Sequence, residues 1–154
     1  MDAMVSPIET VMDDGDRKTV VTLRPVPQAA DIARTFIEHR MIVEKCPDLV
    51  DDATLIASEL ITNAYVHVPA AEFFKLMLCW NAGSPLIEVW DPSWTLPQPR
   101  SLAEGDEFLL STSGKGLFII SRLAESWGSR RIPRMKGGGK IVWARLPPGG
   151  AHRP

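Results

Sequence analysis

The sequence predicts an α+β domain, a two-layer sandwich in which a mixed, largely antiparallel sheet carries three helices on one face. Three observations predict it. The hydrophobic period changes along the chain: extended over Lys18 to Leu23, helical from about Gln28 to His67, extended from Phe73 to Trp90, then helical and extended once more. Asn81-Ala82-Gly83-Ser84-Pro85 and Gly137-Gly138-Gly139 each separate two extended runs, as hairpin turns do. A length of 154 residues, 45% hydrophobic and 23% charged, suits one domain with a real core rather than two.

Residues 1–17 are acidic and aperiodic and are expected to form a disordered lead-in. The folded domain then covers 18–147, and the Pro/Gly-rich residues 148–154 form a loose tail. Lys18-Thr19-Val20-Val21-Thr22-Leu23 has the β-branched content of a strand, stopped by Pro25 and Pro27. A first helix follows from about Gln28 to Lys45, with Ala29, Ile32, Ala33, Phe36 and Ile37 on one face, until Pro47 breaks it. Asp48 is the expected cap of a second, longer helix. At about 100° per residue, Leu49, Ala53, Ile56, Ala57, Leu60 and Ala64 form one apolar arc of that helix, while Asp51, Thr54, Ser58, Thr62 and Tyr65 face away. Glu59 and Asn63, one turn apart, project side by side at the edge of the arc.

Past Val68-Pro69, Phe73 to Trp80 and Leu86 to Trp90 read as hairpin strands. Asp91 to Gly114, with Pro92, Pro97, Pro99 and Ser111-Thr112-Ser113, is a long connection of the kind that often serves as a lid. An apolar helix runs from Gly116 to about Ser126, and Trp127 to Pro133 and Lys140 to Leu146 make the last hairpin. Trp80, Trp90, Trp127 and Trp143 fall in these strands and are expected to fill the sheet core.

Composition excludes several functions. Seventeen basic against nineteen acidic residues, a formal charge of −2, give no footprint for a nucleic acid. No stretch approaches the roughly 18 apolar residues of a membrane span and no leader is evident, so a cytoplasmic protein without membrane contact is expected. Cys46 and Cys79 stand far apart with no Cys or His at metal-ligand spacing, the pattern of buried free thiols rather than a zinc site.

Each candidate motif has an ordinary explanation alone. Glu59 and Asn63 could be a surface carboxylate and a mid-helix amide; Asp91 before Pro92 could initiate a turn. Gly114-Lys115-Gly116 before a helix frees the backbone to approach an anion at the helix start, with Lys115 as a point charge, yet such a pair is more often only a turn. It is neither a Walker loop nor a dinucleotide fingerprint, because Leu109 and Ile119 stand where those require glycine. His39 reads as a partly exposed helix residue, His67 as a helix-end residue and Trp94 as a loop side chain suited to a ligand or partner.

In order, Glu59-x-x-x-Asn63, Val89-Trp90-Asp91-Pro92-x-x-x-x-Pro97, Gly114-Lys115-Gly116-Leu117 and Gly139-Lys140-Ile141-Val142-Trp143 resemble the N, G1 and G2 boxes and final strand of the GHKL ATPases. The resemblance spans about Thr19 to Leu146 and is closest to the small bacterial anti-sigma-factor serine/threonine kinases, which share Glu-Leu-x-Thr-Asn-Ala-x-x-His. It implies the histidine-kinase-like ATPase fold, with ATP and Mg²⁺ as cofactors. Glu59 would be the catalytic base, Asn63 a magnesium ligand, and Asp91 the acceptor for the adenine amino group. Gly114, Lys115, Gly116 and Leu117 would line the nucleotide. Arg100 in the lid could reach a γ-phosphate, although a solvated loop arginine is its more ordinary reading. The implied activity is transfer of the γ-phosphate to a serine of an anti-anti-sigma (STAS-type) antagonist by a protein that also holds a sigma factor inactive; a homodimer stays open. Two positions depart from the family: Ser93 stands for a glycine, and Ile141 for a threonine whose hydroxyl helps bind adenine through water. The rival expectation is a non-catalytic module of the same fold that sequesters a partner protein. A histidine-kinase fragment is disfavoured, because the chain has its own first strand and helix and no acceptor domain.

Overall fold

The structure, a computed structural model, describes residues 9–13, 16–68, 70–96 and 112–149; for 9–13, 16 and 112–115 it describes the backbone alone. In chain order the elements are β1 (Glu9–Asp13), β2 (Asp16–Leu23), α1 (Ala29–Val43), a 3₁₀ turn (Pro47–Leu49), α2 (Val50–His67), β3 (Phe74–Asn81), β4 (Ser84–Asp91), α3 (Thr112–Leu123), β5 (Ser126–Arg131), a second 3₁₀ turn (Arg134–Lys136) and β6 (Lys140–Arg145). The strands form a six-stranded sheet in the order β1-β2-β3-β4-β6-β5. Every described pairing is antiparallel, so the mixed sheet expected from the sequence is corrected to an antiparallel one. Three hairpins, β1–β2, β3–β4 and β5–β6, supply that polarity locally.

The period-2 alternation of the strands splits the sheet into two faces. Val21 and Leu23 of β2, Phe74, Leu76 and Leu78 of β3, Ile87 and Val89 of β4, and Val142 and Ala144 of β6 all turn to one core, shared with Ala33 and Ile37 of α1, Ile56, Leu60 and Ile61 of α2 and Leu117 and Ile120 of α3. α2 is the central helix, packed against α1, α3, β3 and β4. Its predicted arc is buried, and so are Ile61, Asn63 and Ser58. The burial of Ser58 corrects its outward placement in the sequence pattern; flanked on both sides, α2 buries more than one arc, and the Ser58 hydroxyl is satisfied by donating to the Leu55 carbonyl at 3.0 Å.

On the opposite face Glu88 is 1% exposed, between Lys18 Nζ and Arg130 Nη2, each 2.8 Å away. Trp143 covers Gly128, where a Cβ would stand 2.9 Å from the ring. All four strand tryptophans are only half-buried. Trp80 and Trp127 pack against the core, whereas Trp90 and Trp143 occupy the other face, correcting the expectation that all four fill the core.

Three boundaries also change. The lead-in is shorter than expected, since Glu9 to Asp13 pair with β2. Asp48 lies inside the 3₁₀ turn, and α2 starts after Leu49 with no side-chain cap; Asp51 and Asp52 in its first turn complement the helix dipole instead. The tail is anchored through Gly149, which is buried and whose carbonyl accepts from Cys46 Sγ at 3.3 Å. No helix among the described residues is long and apolar enough to cross a membrane.

Candidate functional site

Two clusters of sequence-predicted residues form. The first lies where α3 crosses α2. Glu59 is half-buried and Asn63 is buried, both turned to Gly116. A Cβ at Gly116 would stand 2.9 Å from Asn63 Oδ1 and 2.9 Å from Glu59 Oε2. Glycine is therefore what allows the α3 backbone to reach these two side chains. Its role differs from the one expected. α3 begins at Thr112, so Gly114, Lys115 and Gly116 lie within the helix rather than ahead of it. Only the first four amides of a helix lack intrahelical partners, which puts Gly116 beyond the anion-binding end. Leu117, 3% exposed, belongs to the hydrophobic core. Arg100 and lid residues 97–111 lie outside the described residues.

Asn63 Oδ1 is buried and has no hydrogen-bond partner among the described residues. A buried carbonyl oxygen in that state costs about 1–3 kcal/mol unless a ligand takes it up. One neutral amide oxygen beside one carboxylate suits a hard, oxygen-seeking cation such as Mg²⁺, which usually takes one or two protein ligands and completes its shell with phosphate and water. Among the described residues no three His, Cys, Asp or Glu side chains gather as a metal site, so a cation at Asn63 would depend on such outside oxygens.

The second cluster is at the end of β4. Asp91 turns to the helix side with Ile87 and Val89, and is 2% exposed. Its Oδ1 accepts from Lys140 Nζ at 2.8 Å and from the Ser93 amide at 2.8 Å. The Ser93 hydroxyl accepts in turn from the Thr95 amide at 3.1 Å, so the serine closes the turn after Pro92. Gly139, at φ +77, brings the chain so close that a Cβ there would overlap the Asp91 carbonyl. Trp90 stacks on Phe73 with ring centroids 5.5 Å apart and donates its indole N–H to the Gly138 carbonyl at 2.9 Å.

Register here revises a sequence-based assignment. Asp91 pairs with Lys140, and Trp90 with Ile141. Ile141 therefore faces away from Asp91, and Lys140 is the β6 side chain that meets the carboxylate. Sequence reasoning passes over Lys140, although strand parity signals it: Val142 and Ala144 are the small inward residues of β6, and Lys140 shares their face.

Nearby, Trp94 is 51% exposed; Arg131 lies 5.5 Å from its ring centroid and donates to its carbonyl at 2.8 Å. His39 and His67 are exposed. Cys46 and Cys79 are buried free thiols, as expected, and burial pushes the Cys46 thiol above its ordinary range, with Trp80 lowering it and Asp48 and Glu44 adding to the rise. A scan against protein-family models and a search of curated proteins find no match to this chain.

Proposed function

We propose that this chain is an ATP-binding regulator with the GHKL fold, an anti-sigma factor of the serine/threonine-kinase type that phosphorylates a STAS-type antagonist. One observation carries the reading: the buried oxygen of Asn63, without a hydrogen-bond partner among the described residues and held beside Glu59 against Gly116. The antiparallel sheet, with its three helices, supports it at the level of architecture.

In this reading Asn63 supplies one ligand to Mg²⁺, which when bound neutralises phosphate charge. Glu59, one turn earlier on the same face, accepts the proton of an attacking serine hydroxyl as its oxygen bonds to the γ-phosphorus and the bond to the bridging oxygen breaks, releasing ADP. The backbone at Gly114 and Lys115, near the start of α3, lies where helix amides and dipole favour phosphate. Asp91 receives the adenine amino group.

A second reading, a non-catalytic module of the same fold that sequesters a partner, is favoured by a specific observation: the Asp91 carboxylate is already engaged by Lys140. Calorimetry with Mg-ATP, followed by labelled ATP and candidate antagonists, separates the two. The kinase reading expects magnesium-dependent binding at micromolar Kd or weaker, about −8 kcal/mol or less in magnitude, and label on the antagonist. ATP binding with no transfer moves the conclusion to the sequestering module, and absence of binding at millimolar Mg-ATP removes the nucleotide from both.

A further inference from the structure

Lys140 is an unusual neighbour for a ligand-binding carboxylate. Its side chain is 5% exposed and that of Asp91 is 3% exposed, so the two charges meet away from water. They are held there by the backbone. Residues 140–145 of β6 are in register with β4, Trp90 ties down the Gly138 carbonyl, and Gly139 packs against the Asp91 carbonyl. Lys140 cannot swing to the other face without breaking that register, because a strand side chain changes face only with a one-residue slip. An ammonium group is donor-only, and it presents its hydrogens to the same carboxylate that the proposed function assigns to the amino group of adenine. With the Ser93 amide on the same oxygen, Asp91 carries two internal donors before any ligand arrives.

We infer that Lys140 is an internal competitor for Asp91 and the residue that sets base affinity and selectivity at this site. The inference rests on the nucleotide reading above. A ligand that takes Asp91 Oδ1 must displace Lys140 from a buried ion pair, and one that takes the second carboxylate oxygen meets a charge that Lys140 already offsets. The 6-amino group of adenine therefore contributes little to binding in the natural chain. Replacing Lys140 by threonine removes the competitor and returns the carboxylate to the ligand.

The test compares Mg-ATP with magnesium purine riboside triphosphate, which lacks only the 6-amino group, by calorimetry on wild type and Lys140→Thr. Wild type is expected to bind the two within about threefold of each other. Lys140→Thr, shown folded by circular dichroism, is expected to bind ATP at least tenfold more tightly than wild type and to prefer it over the analogue by tenfold or more. A wild type that binds neither, with a variant that binds ATP, supports the inference equally. The wild-type comparison stands alone should Lys140→Thr fail to fold: a tenfold preference for ATP in wild type would show that Asp91 already reads the amino group, overturning the inference while leaving the nucleotide reading intact. Unchanged or weaker ATP binding by a folded Lys140→Thr overturns it as well. Binding of neither triphosphate by either protein, both folded, removes the nucleotide reading and the inference together.

Discussion

Glu59 and Asn63 occupy one face of α2 yet should respond differently to substitution. Asn63→Ala deletes the buried oxygen that has no partner among the described residues, so it should cost little stability while weakening Mg-ATP binding and phosphoryl transfer together. Glu59→Gln keeps shape and hydrogen bonding, and is expected to leave ATP affinity nearly unchanged while slowing transfer by about 10²–10⁴, or roughly 3–5 kcal/mol of barrier. Transfer by Glu59→Gln at the wild-type rate would leave a kinase standing and exclude Glu59 as its base. Gly116→Ala probes the same contact from α3. The new methyl would press on Asn63 Oδ1 and Glu59 Oε2 at 2.9 Å, while alanine in a helix gains about 0.5–1 kcal/mol over glycine. Because the atoms it meets are side-chain ends that can give way, the two effects should nearly cancel in denaturant titrations. The displaced pair should instead show as a loss of Mg-ATP affinity; binding equal to wild type would mean the pair takes no part in holding the ligand.

At the scale of elements, two turns among the described residues carry residues in the left-handed region without being glycine: Lys45 at φ 61 and Ala82 at φ 51. Lys45 ends α1 in a Schellman motif, with its own amide donating to the Ile42 carbonyl at 3.0 Å and the Cys46 amide to the Met41 carbonyl at 2.7 Å. This motif ends the helical span at Val43, short of the Pro47 break that the sequence suggests. Ala82 and Gly83, both at positive φ, form the two-residue loop between Asn81 and Ser84, tighter than the five-residue turn read from composition. An L-residue in this region costs about 1–2 kcal/mol, and glycine gives back about 0.5–1 through unfolded-chain entropy. Lys45→Gly should accordingly stabilise by about 0.5–1 kcal/mol, and Ala82→Asn, which restores the favoured Asn-Gly pair, by a similar amount. Urea midpoints measure both, and a lowered midpoint for either would show that the side chain lost there contributed more than the strain relieved.

For the whole molecule, the thiols report on cooperativity. Cys46 joins the end of α1 to the last described residue through its contacts with the Glu44 and Gly149 carbonyls, at 3.5 and 3.3 Å. Burial disfavours its thiolate, so as pH rises the unfolded chain releases this proton first. The folded state then binds more protons than the unfolded one, and the stabilising contribution, complete below the ordinary thiol value, is lost as pH climbs through and above it. The urea midpoint should fall as pH climbs through and above the ordinary thiol value, and Cys46→Ala should flatten that fall. A fall of equal size in Cys46→Ala would assign it to other groups. At about pH 8 a thiol reagent should modify Cys46 and Cys79 at least about 10²-fold more slowly than in the denatured chain, because Cys46 in the core and Cys79 on the opposite face of the sheet are both buried and must be uncovered by opening of the fold.

Local pattern is enough to specify the helices, most strands and the hairpin partners, because hydrophobic period and turn chemistry act over a few residues. The apolar arc of α2, the inward residues of β2 to β4 and the burial of both cysteines are legible from period and composition. Glu59 and Asn63 are legible as a pair through their spacing alone. What the sequence could not decide were relations between elements distant in the chain. Glu9 to Asp13 form a strand because β2 offers an edge for pairing. Ser58 is buried by neighbours on both sides of α2, and Gly116 is a site of close helix contact with Asn63 and Glu59 inside α3 rather than the first residue of that helix. Register across β4 and β6 sets Lys140, not Ile141, against Asp91. Side-chain period 2 makes that choice all-or-none: one residue of slip exchanges the faces, and only pairing with the neighbouring strand determines which residue meets the carboxylate.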